Sequence, residues 1–425
     1  MKRLLIISPY FPPTNAADMQ RIRMSLPYFR TFGWDPEVVT VDERYSDMMK
    51  DDLLLQSIPS DIKIHKVRAL NKNWTSKIRL GSLAFRSLWF YRNKVNNLLR
   101  QNKYDLIYFS TTQFPVCILG AYWKNKFGIP YVIDMQDPWY SDYYKNKPKS
   151  QRPPKYLITY GLHKKLEAIA MKNVAGLISV SANYPETLET RYPNLLKIPK
   201  AVITFGAFER DLKIAADNQN NFKALLRPNF KNIVYIGRGG MDMHKAIAPV
   251  FDALKKGLTN QPDLFSQLRF YFIGTSYAPE GKGIYTILPL AKQFEVDNAV
   301  VEITDRISYY HALLTLQQAD ALFIPGSDDP KYTASKIFPY LLAHKPLLAI
   351  FNAQSSAINI LTEFGVRNVY NYDKTPDINM KVAGFFKQLI NGDAKETYDP
   401  AAFEKYSAEM MTKHQCDLFN MIKLR

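Results

Sequence analysis

Short apolar runs recur along this chain, each stopping at a loop of small or polar residues before a helix-length stretch. That alternation restricts the possible folds more than any single motif does. Leu4 to Ser8 form the first run; a loop from Pro9 to Asp18 and a helical pattern through Phe32 follow, Gly33 ends the helix, and Glu37 to Val41 opens the next run. Runs this short and this continuously apolar mark strands of a parallel sheet with both faces covered by helices. The pattern repeats at Tyr104 to Ser110, at Tyr131 to Asp134 after a helical stretch around Cys117 to Phe127, and at Leu177 to Val180 before a helix from about Tyr184 to Arg191.

Between Pro193 and Pro228 the pattern loosens into an apolar piece, Val202 to Phe205, and a polar run, Asp217 to Asn221. A second series then begins. Its strands are expected at Ile233 to Gly237, Phe270 to Gly274 and Val300 to Ile303, with helices at Lys245 to Lys256, Tyr285 to Phe294 and Tyr309 to Gln318. It closes with Ala321 to Ile350, a strand, a polar loop, a helix and a strand from near Pro346. With 425 residues, two domains of roughly 200 are the natural division. The expected fold class is therefore α/β, two doubly wound Rossmann-like domains facing each other across a cleft. We set the first at residues 1–205, a linker at 206–228, the second at 229–390, and helices at 391–425 that pack back on the first.

Several segments carry chemistry. Ile236-Gly237-Arg238-Gly239-Gly240 lies where a strand ends and a helix begins. Glycines there admit close backbone approach and Arg238 offers a forked cation to phosphate, although a plain turn also fits and no dinucleotide fingerprint is complete. Lys245 in the following helix is a second cation. In the last strand-helix-strand piece, Thr333, Ser335 and Lys336 fall in the first helical turn, where free N–H groups and partial positive charge suit a diphosphate; a capped surface helix is the plainer account. Asp134 and Asp137 end a strand of the first domain. Asp137, the stronger candidate, either takes a proton from an acceptor hydroxyl or caps the turn before Pro138. In the first loop, Asn15, Ala16 and Ala17 would face substrate, unless Asp18 simply caps a helix.

The 56 Lys+Arg against 39 Asp+Glu give a formal charge of +17, which favours a polyanionic partner. No zinc spacing or RNA-binding aromatic signature accompanies it, so no nucleic-acid partner is expected. The segment Lys77 to Arg100 mixes aromatic and basic residues without an acid. Its apolar positions Leu80, Leu83, Leu88, Phe90, Val95 and Leu99 do not fall on one clean face, and the segment reads either as core with a basic rim or as a helix lying on anionic membrane. The two cysteines, Cys117 and Cys416, are far apart, the first apolar run is too short for a secretory leader, and no apolar stretch approaches the ~20 residues of a membrane span. A cytoplasmic chain, peripheral at the inner face of the membrane, is expected. No histidine has a metal-type partner, and no metal or other cofactor is expected.

Taken in order, LLIISPYFPP, YDLIYFS, GIPYVIDMQDPW, LISVSANY, VYIGRGG, FYFIGT, QQADALFIPG and SKIFPYLLAHKPLLAI resemble the GT-B glycosyltransferases of the family 4 type over nearly the whole chain. The resemblance implies a retaining, metal-independent transferase that takes a sugar from a nucleotide-diphosphate sugar to a glycan or lipid-linked acceptor, in polysaccharide or glycoconjugate assembly. It implies that Arg238, Gly239, Gly240, Lys245, Arg306, Thr333, Ser335 and Lys336 bind the donor, that Asn15, Ala16 and Ala17 lie beside the acceptor, and that Asp137 is catalytic. The chain departs from that family in three places. Aligned on Lys345-Pro346, the positions that commonly hold two glutamates carry Lys331 and Pro339, and the paired glycines of the first loop are Ala16-Ala17. A non-catalytic binding subunit on the same scaffold is the competing expectation, with a nucleotide-sugar epimerase below it.

Overall fold

The computed structural model describes residues 1–75, 81–140, 145, 156–328 and 337–424. The chain forms two compact units, Met1–Gly206 with Tyr406–Arg425, and Ala207–Lys405.

The first unit is built on a parallel sheet of seven strands: β1 (Lys2–Ile7), β2 (Trp34–Val41), β3 (Lys63–Val67), β4 (Leu106–Ser110), β5 (Tyr131–Met135), β6 (Gly176–Ser179) and β7 (Lys200–Val202), in the order β3-β2-β1-β4-β5-β6-β7. β4 and β5 are buried at every position, as both-faces-covered strands must be. One face is covered by the helices Leu83–Gln101, Ile118–Phe127 and Tyr156–Met171, whose apolar sides join a core around Phe109, Trp123 and Tyr131. On the other face lies the helix Ala408–Met421, whose fully buried Phe419 meets Phe29, Trp34 and Tyr108 at ring-centroid distances of 6.5, 5.5 and 5.0 Å. Gly206 passes so close to this helix that an added Cβ would stand 2.8 Å from the Ala408 nitrogen and the Ser407 oxygen. Only glycine permits that approach.

The second unit carries six parallel strands, β8 (Lys231–Ile236), β9 (Leu268–Ile273), β10 (Val300–Ile303), β11 (Ala321–Pro325), β12 (Leu347–Phe351) and β13 (Asn368–Asn371), ordered β10-β9-β8-β11-β12-β13. Each sheet reverses its strand order once, at β1/β4 and at β8/β11. Those two reversals are where a doubly wound sheet opens a crevice at its strand C-termini.

Some expectations need correction. The helix Leu83–Gln101 does have one clean inward face, formed by Leu83, Ala84, Ser87, Tyr91, Val95, Leu98 and Leu99, while Trp89 is exposed. Polar residues complete that face: Arg86 donates to the Leu70 and Tyr45 carbonyls, and the Asn96 side chain accepts from Trp123. Residues 206–228, read as a linker, contain the helix Glu209–Asp217 within the second unit, held by Asp211 accepting from the Tyr309 and Tyr310 hydroxyls at 2.8 and 3.1 Å. The helix expected from Tyr285 begins at Leu288.

Candidate functional site

At the β8/β11 reversal, Tyr340 pins the end of β8. Its hydroxyl donates to the Ile236 carbonyl at 3.0 Å and accepts from the Ile236 N–H at 2.8 Å. The glycine loop that follows is laced to its neighbour, Gly237 N–H bonding Ile273 O at 2.9 Å and Gly239 N–H bonding Thr275 O at 2.8 Å, while the Tyr235 hydroxyl donates to the Arg238 carbonyl. Thr275 is itself anchored on Glu302, a buried carboxylate that also accepts the N–H groups of Thr286, Ile287 and Leu288. Backbone at the strand end is therefore held from three sides, and the side chain of Arg238 is aimed from a fixed loop.

Arg238 does not stand as a lone cation. Both of its terminal nitrogens donate to Asp242, at 3.0 Å to Oδ1 and 2.5 Å to Oδ2, and these bonds hold the Asp242 carboxyl below the usual carboxylate range. Ser327, just beyond β11, donates to the same Oδ2 at 2.7 Å, and the Asp328 N–H bonds the Asp242 carbonyl at 2.8 Å. Asp242 thus ties the loop after β8 to the loop after β11. The next helix, His244–Asn260, runs on from the 3-10 turn Met241–Met243 with no side-chain cap; the His244 N–H bonds the Met241 carbonyl, so what this start offers an anion is its partial positive charge. Lys245 is exposed on that helix, and Arg306 lies 4.1 Å over the Tyr277 ring, beyond β10. Thr333, Ser335, Lys336 and Lys331 lie outside the described residues. Pro339 sits inside the helix Ile337–Leu342, one residue before Tyr340.

The β1/β4 reversal is bridged in a parallel way. Asp18, 4% exposed, accepts at Oδ2 from the Thr111 hydroxyl (2.9 Å), the Thr112 N–H (2.9 Å) and the Thr112 hydroxyl (3.1 Å). Asp18 is not a helix cap: that position falls to Ala16, which has no capping side chain. Burial pushes the Asp18 carboxyl above its ordinary value and the threonine donors draw it part of the way back. Asp137, exposed past the end of β5, is pushed up by partial desolvation and by the Asp18 charge. Asp134 is structural: fully buried, it accepts from Arg21 at 2.7 Å, Ser110 at 3.0 Å and Gln136 at 2.8 Å. Gln136 also donates to the Asp18 carbonyl at 3.1 Å, linking the buried pair to the loop above. Asn15 is fixed through its N–H to Met49 O, Ala16 is buried, and Ala17 is exposed.

Among the described residues no group of three His, Cys, Asp or Glu side chains is arranged to hold a metal ion, and no helix is long and apolar enough to cross a membrane. No protein-family model and no curated protein sequence matches this chain. Solved structures do match over the full length. A UDP-forming α,α-trehalose-phosphate synthase from Burkholderia xenovorans aligns over 99% of both chains at 13% identity and a TM-score of 0.54. Anabaena Alr3699/HepE, in complex with UDP and glucose, aligns over 99% of this chain and 100% of its own at 15% identity and 0.53. Sucrose-phosphate synthase from Thermosynechococcus elongatus aligns over 99% and 95% at 13% and 0.51. The chain has the GT-B fold. At these identities the likeness extends to the two Rossmann-like domains and their connectivity, which accords with the strand orders above.

Proposed function

We propose that this chain is a retaining, metal-independent GT-B glycosyltransferase of the family 4 type, moving a sugar from a nucleotide-diphosphate sugar to a glycan or lipid-linked acceptor at the cytoplasmic face of a membrane. The observation that carries the reading is the β8/β11 reversal, where a glycine loop, a forked arginine and the positive end of a helix with no side-chain cap meet, a combination suited to a diphosphate. In this reading the bond from the anomeric carbon to the diphosphate breaks while charge gathers on the leaving phosphate, Arg238 and the helix start stabilise that charge, and the acceptor proton passes to a phosphate oxygen as the new glycosidic bond forms. Lys245, Thr333, Ser335 and Lys336 belong to the same donor side, with Arg306 toward the base. On the first unit Asp137, exposed past the end of β5, orients the acceptor hydroxyl by accepting its hydrogen bond, while the buried Asp18 fixes the neighbouring loop through Thr111 and Thr112.

One observation favours a non-catalytic binding subunit instead: Asp242 already occupies the Arg238 fork. Calorimetry with UDP, GDP and their glucose and mannose conjugates separates the two. Binding that is lost in Arg238→Ala, followed by sugar release or transfer that persists in EDTA, supports the transferase. Absence of binding to every one of these ligands refutes it, and strict dependence on magnesium removes the metal-independent clause.

A further inference from the structure

The three helices that cover one face of the first sheet show solvent a surface of one sign. Leu83–Gln101 and Ile118–Phe127 contain no acidic residue, and Glu167, the single carboxylate in Tyr156–Met171, is buried and paired with Arg191. Arg92, Lys94, Arg100, Lys126, Lys164 and Lys165 form no ion pair among the described residues. Apolar side chains stand out between them: Trp89 is 62% exposed, Ile169 48% and Leu162 40%.

The positive groups act on one another's neighbours rather than on acids. The Arg92 guanidinium lies 4.9 Å from the Tyr122 ring centroid, and Lys126 donates to the Tyr122 hydroxyl at 3.1 Å. Arg92 first and Lys126 second bring that hydroxyl down to about 8, the mark of positive potential with no nearby carboxylate to offset it. Trp89 stands one helical turn from Arg92, its ring edge-on to Phe90 at 5.0 Å. Exposed tryptophan and branched aliphatics among unpaired Lys and Arg suit the boundary between lipid headgroups and acyl chains; a nucleic acid would have no use for Leu162 and Ile169.

We propose that this three-helix face docks on a bilayer containing anionic lipids. The inference names the surface behind the membrane clause of the proposed function and rests on that clause; vesicle binding is measured without turnover, so its failure is told apart from failure of the transferase reading. The test is co-sedimentation of the full chain with vesicles of phosphatidylcholine alone and of phosphatidylcholine mixed with phosphatidylglycerol. Binding to the mixed vesicles at low salt, weakened by raised salt, is expected. At about 1 kcal/mol per basic residue near the surface, Arg92→Glu with Lys126→Glu should weaken it by about 25-fold or more, and Trp89→Ala by about tenfold. Lys374→Glu with Lys387→Glu, the same charge change on exposed residues of the second unit, should leave binding within about twofold of the parent. No binding to the mixed vesicles, equal binding to neutral ones, or an equal loss in both double variants overturns the proposal. So does a single-stranded RNA that binds through Arg92 and Lys126 where vesicles do not.

Discussion

Removing Arg21 should destabilise the first unit by about 3 kcal/mol. Arg21 and Asp134 are both fully buried; Nε bonds Oδ2 at 2.7 Å, and the terminal nitrogens reach the Ile203 and Thr204 carbonyls at 2.8 and 3.3 Å. In Arg21→Met the hydrocarbon fills most of the space, but a carboxylate stays buried with only Ser110 and Gln136 to donate to it. Truncating one partner of a buried pair typically costs about 3–5 kcal/mol, and the two remaining donors place this case at the low end. Asp134→Asn should cost a similar amount by stranding the guanidinium. The double variant leaves no buried charge and keeps an acceptor for Ser110, so its loss should fall short of the sum of the singles by at least about 1.5 kcal/mol. Urea unfolding followed by tryptophan fluorescence isolates the effect, because all five tryptophans, Trp34, Trp74, Trp89, Trp123 and Trp139, belong to the first unit. With a slope of about 2 kcal/mol/M, the midpoint of either single variant should drop by about 1.5 M. A drop under about 0.5 M, or additivity of the two substitutions, would refute the reasoning.

Asp242→Asn should free the Arg238 fork and tighten UDP binding about fivefold, whereas Arg238→Ala should weaken it; calorimetry showing both variants equally weakened would mean that Asp242 positions the arginine rather than competing for it. Glu37 is buried, which raises its carboxyl, but donors from His65, Tyr104 and Arg3 outweigh that and hold it near 2 against an ordinary 4.5. Its stabilisation is complete above the ordinary value and drains away as pH falls from there through about 2. Glu37→Gln should therefore be less stable at neutral pH and show a flatter acid limb in urea midpoints; an unchanged limb would remove Glu37 as its source. Phe419→Ala should cost the first unit about 3–5 kcal/mol by fluorescence-detected unfolding, and a loss under about 1 kcal/mol would mean that the helix Ala408–Met421 is not part of that core.

Apart from the edge strand β10, the strands that sequence made legible lie inside their sheets. β1, β4, β5, β8, β9, β11 and β12 announce themselves as apolar runs, while the edge strands β3 (KIHKV) and β13 (NVYN) are partly open to solvent and lack that pattern. The helix Leu83–Gln101 misled for the opposite reason: Arg86 and Asn96 are buried by bonding to groups elsewhere, and Trp89 is not buried at all. At the candidate site, the glycine loop after β8 and Asp137 after β5 were visible because turn residues at strand ends are local signals. Asp18 and Asp242 were not, since each earns its place through a partner 93 or 85 residues away, and nothing in the letters pairs Asp18 with Thr111 or Asp242 with Ser327.

The seat of Phe419 between Phe29, Trp34 and Tyr108 also sets an order of events during translation. Residues 207–405, a unit in themselves, are synthesised before the helix that packs on one face of the first sheet. The first unit therefore cannot be completed until synthesis has passed through the whole of the second. Until Ala408–Met421 emerges, the nascent first unit holds an open aromatic face, and that interval is when it most needs a chaperone.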